Sequence, residues 1–195
     1  MWVFCLFLFV FGCFMLFNRK NSILLDKMKS DMHGDGEINV FVEIAKNSHI
    51  KYEYNHDKKT LICDRILHTP FNYFFNYGFV PETLSKDNDP IDVVILMDEE
   101  LVPGCSIKCK IIGCLETEDD SGEDPKLIVC PSKKIDPTYD SMKDITDVPQ
   151  HTLDKLMYFF SHYKDLENKR VVVGDFLNKD EAIAVFKSTL LPTYM

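Results

Sequence analysis

The chain is short of positive charge: 22 Lys and Arg stand against 31 Asp and Glu, for a formal net charge of -9 and a pI near 5.1. A phosphate backbone would be repelled over most of such a surface, which argues against nucleic acid as a partner. Paired cysteine motifs are missing too. Beyond Cys5 and Cys13, the remaining Cys63, Cys105, Cys109, Cys114 and Cys130 are odd in number and form no C-x-x-C, so neither a zinc site nor a disulfide framework is indicated. No N-x-S/T acceptor occurs, and the expectation is a reducing compartment, the cytoplasm. Repeats and low-complexity tracts are absent, and no acidic stretch has the residue order of an EF-hand.

Long apolar runs are scarce, with one exception at the start. Trp2 to Phe17 carries no charge; as a helix it would reach about 24 Å, against roughly 30 Å of bilayer hydrocarbon. It lacks the basic start and the small-x-small site of a secretory leader. Arg19, Lys20, Lys27 and Lys29 follow, so insertion would keep the rest of the chain on the cytosolic side. The expectation is a membrane-engaging leader or anchor over 1–17 and a polar linker over 18–36. One globular domain is expected over 37–195, since 46% hydrophobic and 27% charged content suits a chain with a real core.

That domain reads as strands first and helices last. INVFVEIA, HIKYEYN, TLICDRI, IDVVILM, CSIKCKIIGCL and KLIVCP are β-branched or alternating runs parted by turn residues, and KRVVVGDFL is a later one. In TLDKLMYFFSHYKD, Leu153, Leu156, Met157 and Phe160 recur at helical spacing. In NKDEAIAVFKSTLL, Asn178 and Glu181 form an N-cap and its capping-box partner. The pattern predicts a mainly β fold with helices (α+β), a closed or nearly closed barrel with helices packed outside.

Two acidic clusters stand at strand ends. In DNDPIDVVIL, Asp87, Asp89 and Asp92 crowd the start of an apolar run, and Pro90 biases Asp89 to extended geometry. Two such carboxylates about 4 Å apart repel by roughly 4 kcal/mol at an effective dielectric of about 20, so solvent or a cation must offset them. Glu116 to Lys126, ETEDDSGEDPK, carries six carboxylates between two strands. Either cluster alone reads as a solvated turn. Together, with no His or Cys beside them, they suit a hard cation such as Mg²⁺.

DNDPIDV resembles the D-x-D-P-x-D signature of family I soluble inorganic pyrophosphatases. EIAKNSHIKYE, CDRIL, FNYFFNYGFVPETLS, DDSGEDPK and HYKDL follow that family's order at nearly its spacing, over about residues 37–177. The resemblance implies a five-stranded OB-like barrel flanked by two C-terminal helices, several Mg²⁺ ions per site and a homo-oligomer. It implies hydrolysis of pyrophosphate to two orthophosphates by in-line attack of a metal-bridging hydroxide. Asp87, Asp92 and Asp124 match the tightest metal's ligands, and Asp119 and Glu43 match ligands of metals that arrive with substrate. Asp89 matches the general base. Lys51, Arg65, Tyr77, Tyr163 and Lys164 match the phosphate contacts, with Glu53, Tyr73, Asp120 and Lys126 auxiliary.

The residue types suit that chemistry. A bidentate Arg clamps phosphate oxygens, Lys supplies movable point charges, and Tyr hydroxyls donate without adding charge. The interval from Glu43 to Lys51 is about one residue shorter than in bacterial members, a change that on a strand can turn a side chain to the other face. Two alternatives stand beside this reading. A non-enzymatic divalent-cation-binding barrel has no need of Lys51, Arg65, Tyr77 and Lys164, and a metal-dependent nucleotide phosphohydrolase would need a base pocket that no surplus segment offers.

Overall fold

The computed structural model describes residues 36–191, so the leader and most of the linker lie outside the described residues. Among the described residues nine strands form: β1 (Glu37–Ile44), β2 (Ile50–Asn55), β3 (Thr60–Ile66), β4 (Asn76–Phe79), β5 (Asp92–Ile95), β6 (Ser106–Asp119), β7 (Gly122–Glu123), β8 (Lys126–Pro131) and β9 (Val172–Leu177). The helices α1 (Gln150–His162) and α2 (Lys179–Ser188) come late in the described residues, as the helical spacing predicts. Among the described residues no helix is long and apolar enough to cross a membrane.

The main sheet runs β1-β4-β5-β8-β6, and β6 pairs back onto β1, so five strands close a ring. All pairs in the ring are antiparallel except β5 with β8. Strand β6 is long enough to serve several partners, pairing β1, β8, β9 and the short β7 along its length. The hairpin β2–β3 is a separate two-stranded sheet.

Period-2 alternation divides the ring's side chains between two apolar clusters on opposite faces. Val93, Ile95, Leu127 and Val129 join Ile38, Val40 and Ile107, and Ala182 and Phe186 of α2 pack into the same cluster. Val94, Leu96, Ile128 and Cys130 face the other way, onto Leu153, Leu156, Phe159 and Phe160 of α1. Burial on both faces is why VVIL and LIVC read as unbroken apolar runs.

Strand β4 has no such signature. Its four residues, Asn-Tyr-Gly-Phe, are all buried, and it becomes a strand by pairing β1 on one side and β5 on the other. A Cβ at Gly78 would sit 1.8 Å from the Phe41 carbonyl oxygen, so only glycine lets the two backbones approach. The acidic run also differs from a simple loop: Glu116 to Asp119 are the end of β6, and the turn is confined to the residues just beyond. Cys105 lies one residue before β6 rather than within it. Helix α2 opens with the expected capping box: Glu181 N–H donates to Asn178 Oδ1 (3.1 Å) and Asn178 N–H to Glu181 Oε2 (2.9 Å).

Candidate active site

A cleft of about 240 Å³ opens where β4, β5 and the β6–β8 hairpin meet the β2–β3 hairpin and the end of α1. It is lined by Glu43, Lys51, Glu53, Tyr73, Tyr77, Asp87, Asp89, Asp92, Asp119, Asp124, Lys126, Tyr163 and Lys164. Of the residues picked out in the sequence, Arg65 and Asp120 are not in this lining; Asp120 is exposed at the hairpin turn. Tyr54, His56, Phe79, Pro90, Ser121 and Phe160 also line it. The sequence carried a signal for Phe160, one helical turn before Tyr163, but His56 had none in its spacing.

Each acid is placed by its backbone. The segment 80–91 is tied at its base: Val80 N–H donates to the Ile91 carbonyl (3.0 Å), and Thr83 Oγ1 donates to the Val80 carbonyl (2.6 Å) while accepting from Ile91 N–H (3.0 Å). Within it, Ser85 N–H donates to the Asp89 carbonyl (2.7 Å) and Asp89 N–H to Asp87 Oδ1 (3.1 Å). Asn88 sits between the acids at φ 73°, a left-handed conformation that Asn adopts more readily than most side chains. The parallel pairing of β5 and β8 sets Asp92 directly opposite Lys126. Asp124 N–H donates to the Thr117 carbonyl (2.8 Å), and the Thr117 hydroxyl donates to the Asp124 carbonyl.

Lys126 is buried and ion-paired to both Asp92 and Asp124. Burial would lower its pKa, but the two carboxylates outweigh burial and raise it, so the ammonium stays charged. Burial pushes Asp124 up, with Lys126 pulling against it. Asp89 is also raised, first by desolvation and then by Asp87 and Asp92. For Asp119 burial again pushes upward, but Lys164 Nζ (2.9 Å) and Ser121 N–H (2.8 Å) donate to its carboxylate and hold it below the ordinary range.

Glu43 is 8% exposed, accepts Tyr54 N–H at 2.6 Å, and has its pKa pushed up to about 8 by burial and then by Asp92. The short Glu43–Lys51 interval does not turn either side chain away, since both line the cleft. A register shift between Lys51 and Tyr52 in the β2–β3 pairing accompanies this. One wall is aromatic: Tyr163 stacks on Phe159 (5.1 Å between centroids, 15°), and Tyr73 and Tyr77 pack 5.7 Å apart. Such packing limits ring motion, so the phenol groups keep fixed directions.

As these side chains stand, no three His, Cys, Asp or Glu among the described residues converge on one point to hold a metal ion. Lys126 occupies the space between two of the acids. The donor set itself is carboxylate oxygen with no thiol, which fits a hard divalent cation.

A small barrel whose cleft opposes carboxylates with lysines and phenols defines a class of protein that binds a compact polyanion together with divalent cations. Comparison narrows the class. The sequence model described as inorganic pyrophosphatase matches residues 40–191. An inorganic pyrophosphatase of Nanoarchaeum equitans is 47% identical over 152 residues, 77% of this chain and 94% of that protein. The solved inorganic pyrophosphatase of Helicobacter pylori superimposes with a TM-score of 0.80 at 45% identity, over 84% of this chain and 96% of that one. An N-terminally truncated vacuolar soluble pyrophosphatase of Trypanosoma cruzi, solved in complex with PPi, gives a TM-score of 0.72 at 25% identity, over 84% and 71%. This chain belongs to the inorganic pyrophosphatase family, whose members are hydrolases that use divalent metal.

Proposed function

We propose that the protein hydrolyses inorganic pyrophosphate to two orthophosphates with Mg²⁺ as its metal. The observation that carries this is the convergence, in one small polar cleft, of Asp87, Asp89, Asp92, Asp119, Asp124 and Glu43 with Lys51, Lys126, Lys164, Tyr77 and Tyr163. At about 240 Å³ the cleft is below the roughly 300–1,000 Å³ of sites for drug-sized ligands, which favours a compact anion over a nucleotide.

In this reading Asp87, Asp92 and Asp124 hold the first Mg²⁺, and Asp119 and Glu43 hold those that accompany substrate. Bound Mg²⁺ neutralises phosphate charge and lowers the pKa of coordinated water. Lys51, Lys164, Tyr77 and Tyr163 hold the phosphate oxygens, and Arg65 adds a contact at the margin of the cleft. Asp89 takes a proton from the attacking water, the part of a positioned general base. The water oxygen bonds to one phosphorus as the bridging oxygen departs with the other phosphate. Glu53, Tyr73 and Lys126 support the contacting groups, and Asp120 at the exposed turn has an auxiliary part.

The same reading takes 37–195 as the catalytic domain, 18–36 as a linker and 1–17 as a leader or anchor giving membrane contact. It places the domain in the cytoplasm, as a homo-oligomer. Phosphate release should be measured with pyrophosphate and with ATP, each in Mg²⁺ and in Ca²⁺. Mg²⁺-dependent release from pyrophosphate alone is expected, falling at least a hundredfold in Asp89→Asn, the range of a positioned general base. Full activity in that variant would remove Asp89 from the proposed role.

A further inference from the structure

Resting on the function proposed above, we infer that Glu167 is a positioning residue for pyrophosphate binding and acts through Arg65. Nothing in the sequence marks Glu167 beyond its place just after the HYKDL stretch. In the structure its side chain is only 6% exposed, and Arg65 Nε donates to its Oε1 at 2.9 Å. The contact joins residues far apart in sequence. Glu167 lies in the 3-10 turn Asp165–Glu167, directly after the Tyr163–Lys164 pair that lines the cleft, while Arg65 lies near the end of β3.

The hairpin that carries Arg65 has no strand pairing with the ring among the described residues; Tyr54 N–H on Glu43 holds its β2 side, and Glu167 holds its β3 side through Arg65. Among the described strands β2 and β3 pair only with each other, yet they bring Lys51 and Glu53 to the cleft. Lys51 is directly opposite Arg65 in the hairpin, and Asp64 lies between them, bonded to Arg65 Nη1 and 3.7 Å from Lys51 Nζ. A continuous chain of charge therefore runs Lys51, Asp64, Arg65, Glu167. The guanidinium has Nε on Glu167 and Nη1 on Asp64, which fixes its plane and leaves Nη2 as the edge for a phosphate oxygen. A guanidinium held on two sides loses little further freedom on binding an anion, whereas one released from Glu167 must be ordered by the substrate itself. Because Glu167 and Lys164 share one short turn, the same contact sets the hairpin's phosphate-binding cations in register with Lys164. Asp87, Asp92 and Asp124 lie on other segments and do not depend on it.

The test is a mutant cycle on the full chain at saturating Mg²⁺, using Glu167→Ala, Arg65→Ala and the double variant. Glu167→Gln serves as the conservative variant, since its amide oxygen still accepts from Nε. KM and kcat for pyrophosphate would be measured beside calorimetric binding of methylenediphosphonate, which is not hydrolysed. Glu167→Ala is expected to raise KM and weaken diphosphonate binding about tenfold, the lower end of a lost charge-assisted hydrogen bond. It should change kcat by less than threefold, and Glu167→Gln should recover most of the binding. In the Arg65→Ala background, removing Glu167 should add less than a twofold change. Effects that multiply in the double variant would overturn the inference, as would a KM untouched in Glu167→Ala. A loss in kcat with no loss in diphosphonate affinity would also overturn it. Failure of the unaltered protein to hydrolyse pyrophosphate would sink the function, while diphosphonate binding would still decide the role of Glu167; absence of both in that protein would overturn both.

Discussion

Replacing Glu43 by Gln should make the metal-free protein more stable in alkali while it impairs function. The carboxyl ordinarily titrates at 4.5, and in the folded chain burial and Asp92 move it to about 8. A folded-state pKa above the unfolded one means that the folded chain holds the proton more tightly. The resulting stabilisation is full below about 4.5 and is gone once the pH has risen through about 8. With each pKa unit near 1.4 kcal/mol, the swing is on the order of 5 kcal/mol, large against a domain stability of about 5–15 kcal/mol. Gln keeps the acceptor for Tyr54 N–H and has no proton to lose. Urea unfolding in EDTA at pH 5 and pH 9, on the parent and on Glu43→Gln, isolates this group from other raised acids such as Asp89. The parent should lose several kcal/mol more than the variant between the two pH values. In saturating Mg²⁺ the order should reverse at pH 9, because a bound cation favours the ionised carboxylate. A parent-minus-variant difference that stays flat with pH would refute the account of Glu43 as a group that desolvation holds protonated.

Gly78→Ala forces a methyl group against the Phe41 carbonyl oxygen, and the β1–β4 pairing must separate to take it. A loss of about 3 kcal/mol is expected, seen in thermal denaturation as a fall in Tm of roughly 6–12 °C. A variant within 2 °C of the parent would show that β4 has slack. Asn178→Ala removes the acceptor for Glu181 N–H at the start of α2 and should cost about 1 kcal/mol. Its phosphate release should be unchanged at 25 °C, since α2 contributes nothing to the cleft lining.

Legibility in the sequence followed the range of the interaction. The capping box of α2 was readable because Asn178 and Glu181 are three residues apart and bond to each other's backbone. The turn bearing Asp87 and Asp89 was readable because its bonds close within a few residues and Pro90 restricts the residue before it. The barrel was readable from several short β-branched or alternating runs, parted by turn residues and placed ahead of the helices. Strand β4 was not readable, because Asn-Tyr-Gly-Phe has no alternation and becomes a strand only when β1 and β5 flank it. The same holds for the acidic end of β6, kept extended by its partners β7 and β9.

For the site, the sequence by itself determined which chemistry was present: clustered carboxylates at strand ends, and cations and phenols set in recognisable order. Residue type and local spacing are enough for that, since acidity, charge and turn geometry are properties of a few neighbouring residues. Only the tertiary structure decided how those groups act on one another. It buried Glu43 against the Tyr54 backbone N–H, set Lys126 between Asp92 and Asp124, brought His56 to the cleft and tied Arg65 to Glu167. Those outcomes depend on desolvation and on contacts between residues many positions apart. Neither is a function of local sequence, because both arise only when the ring closes and the hairpin folds against it.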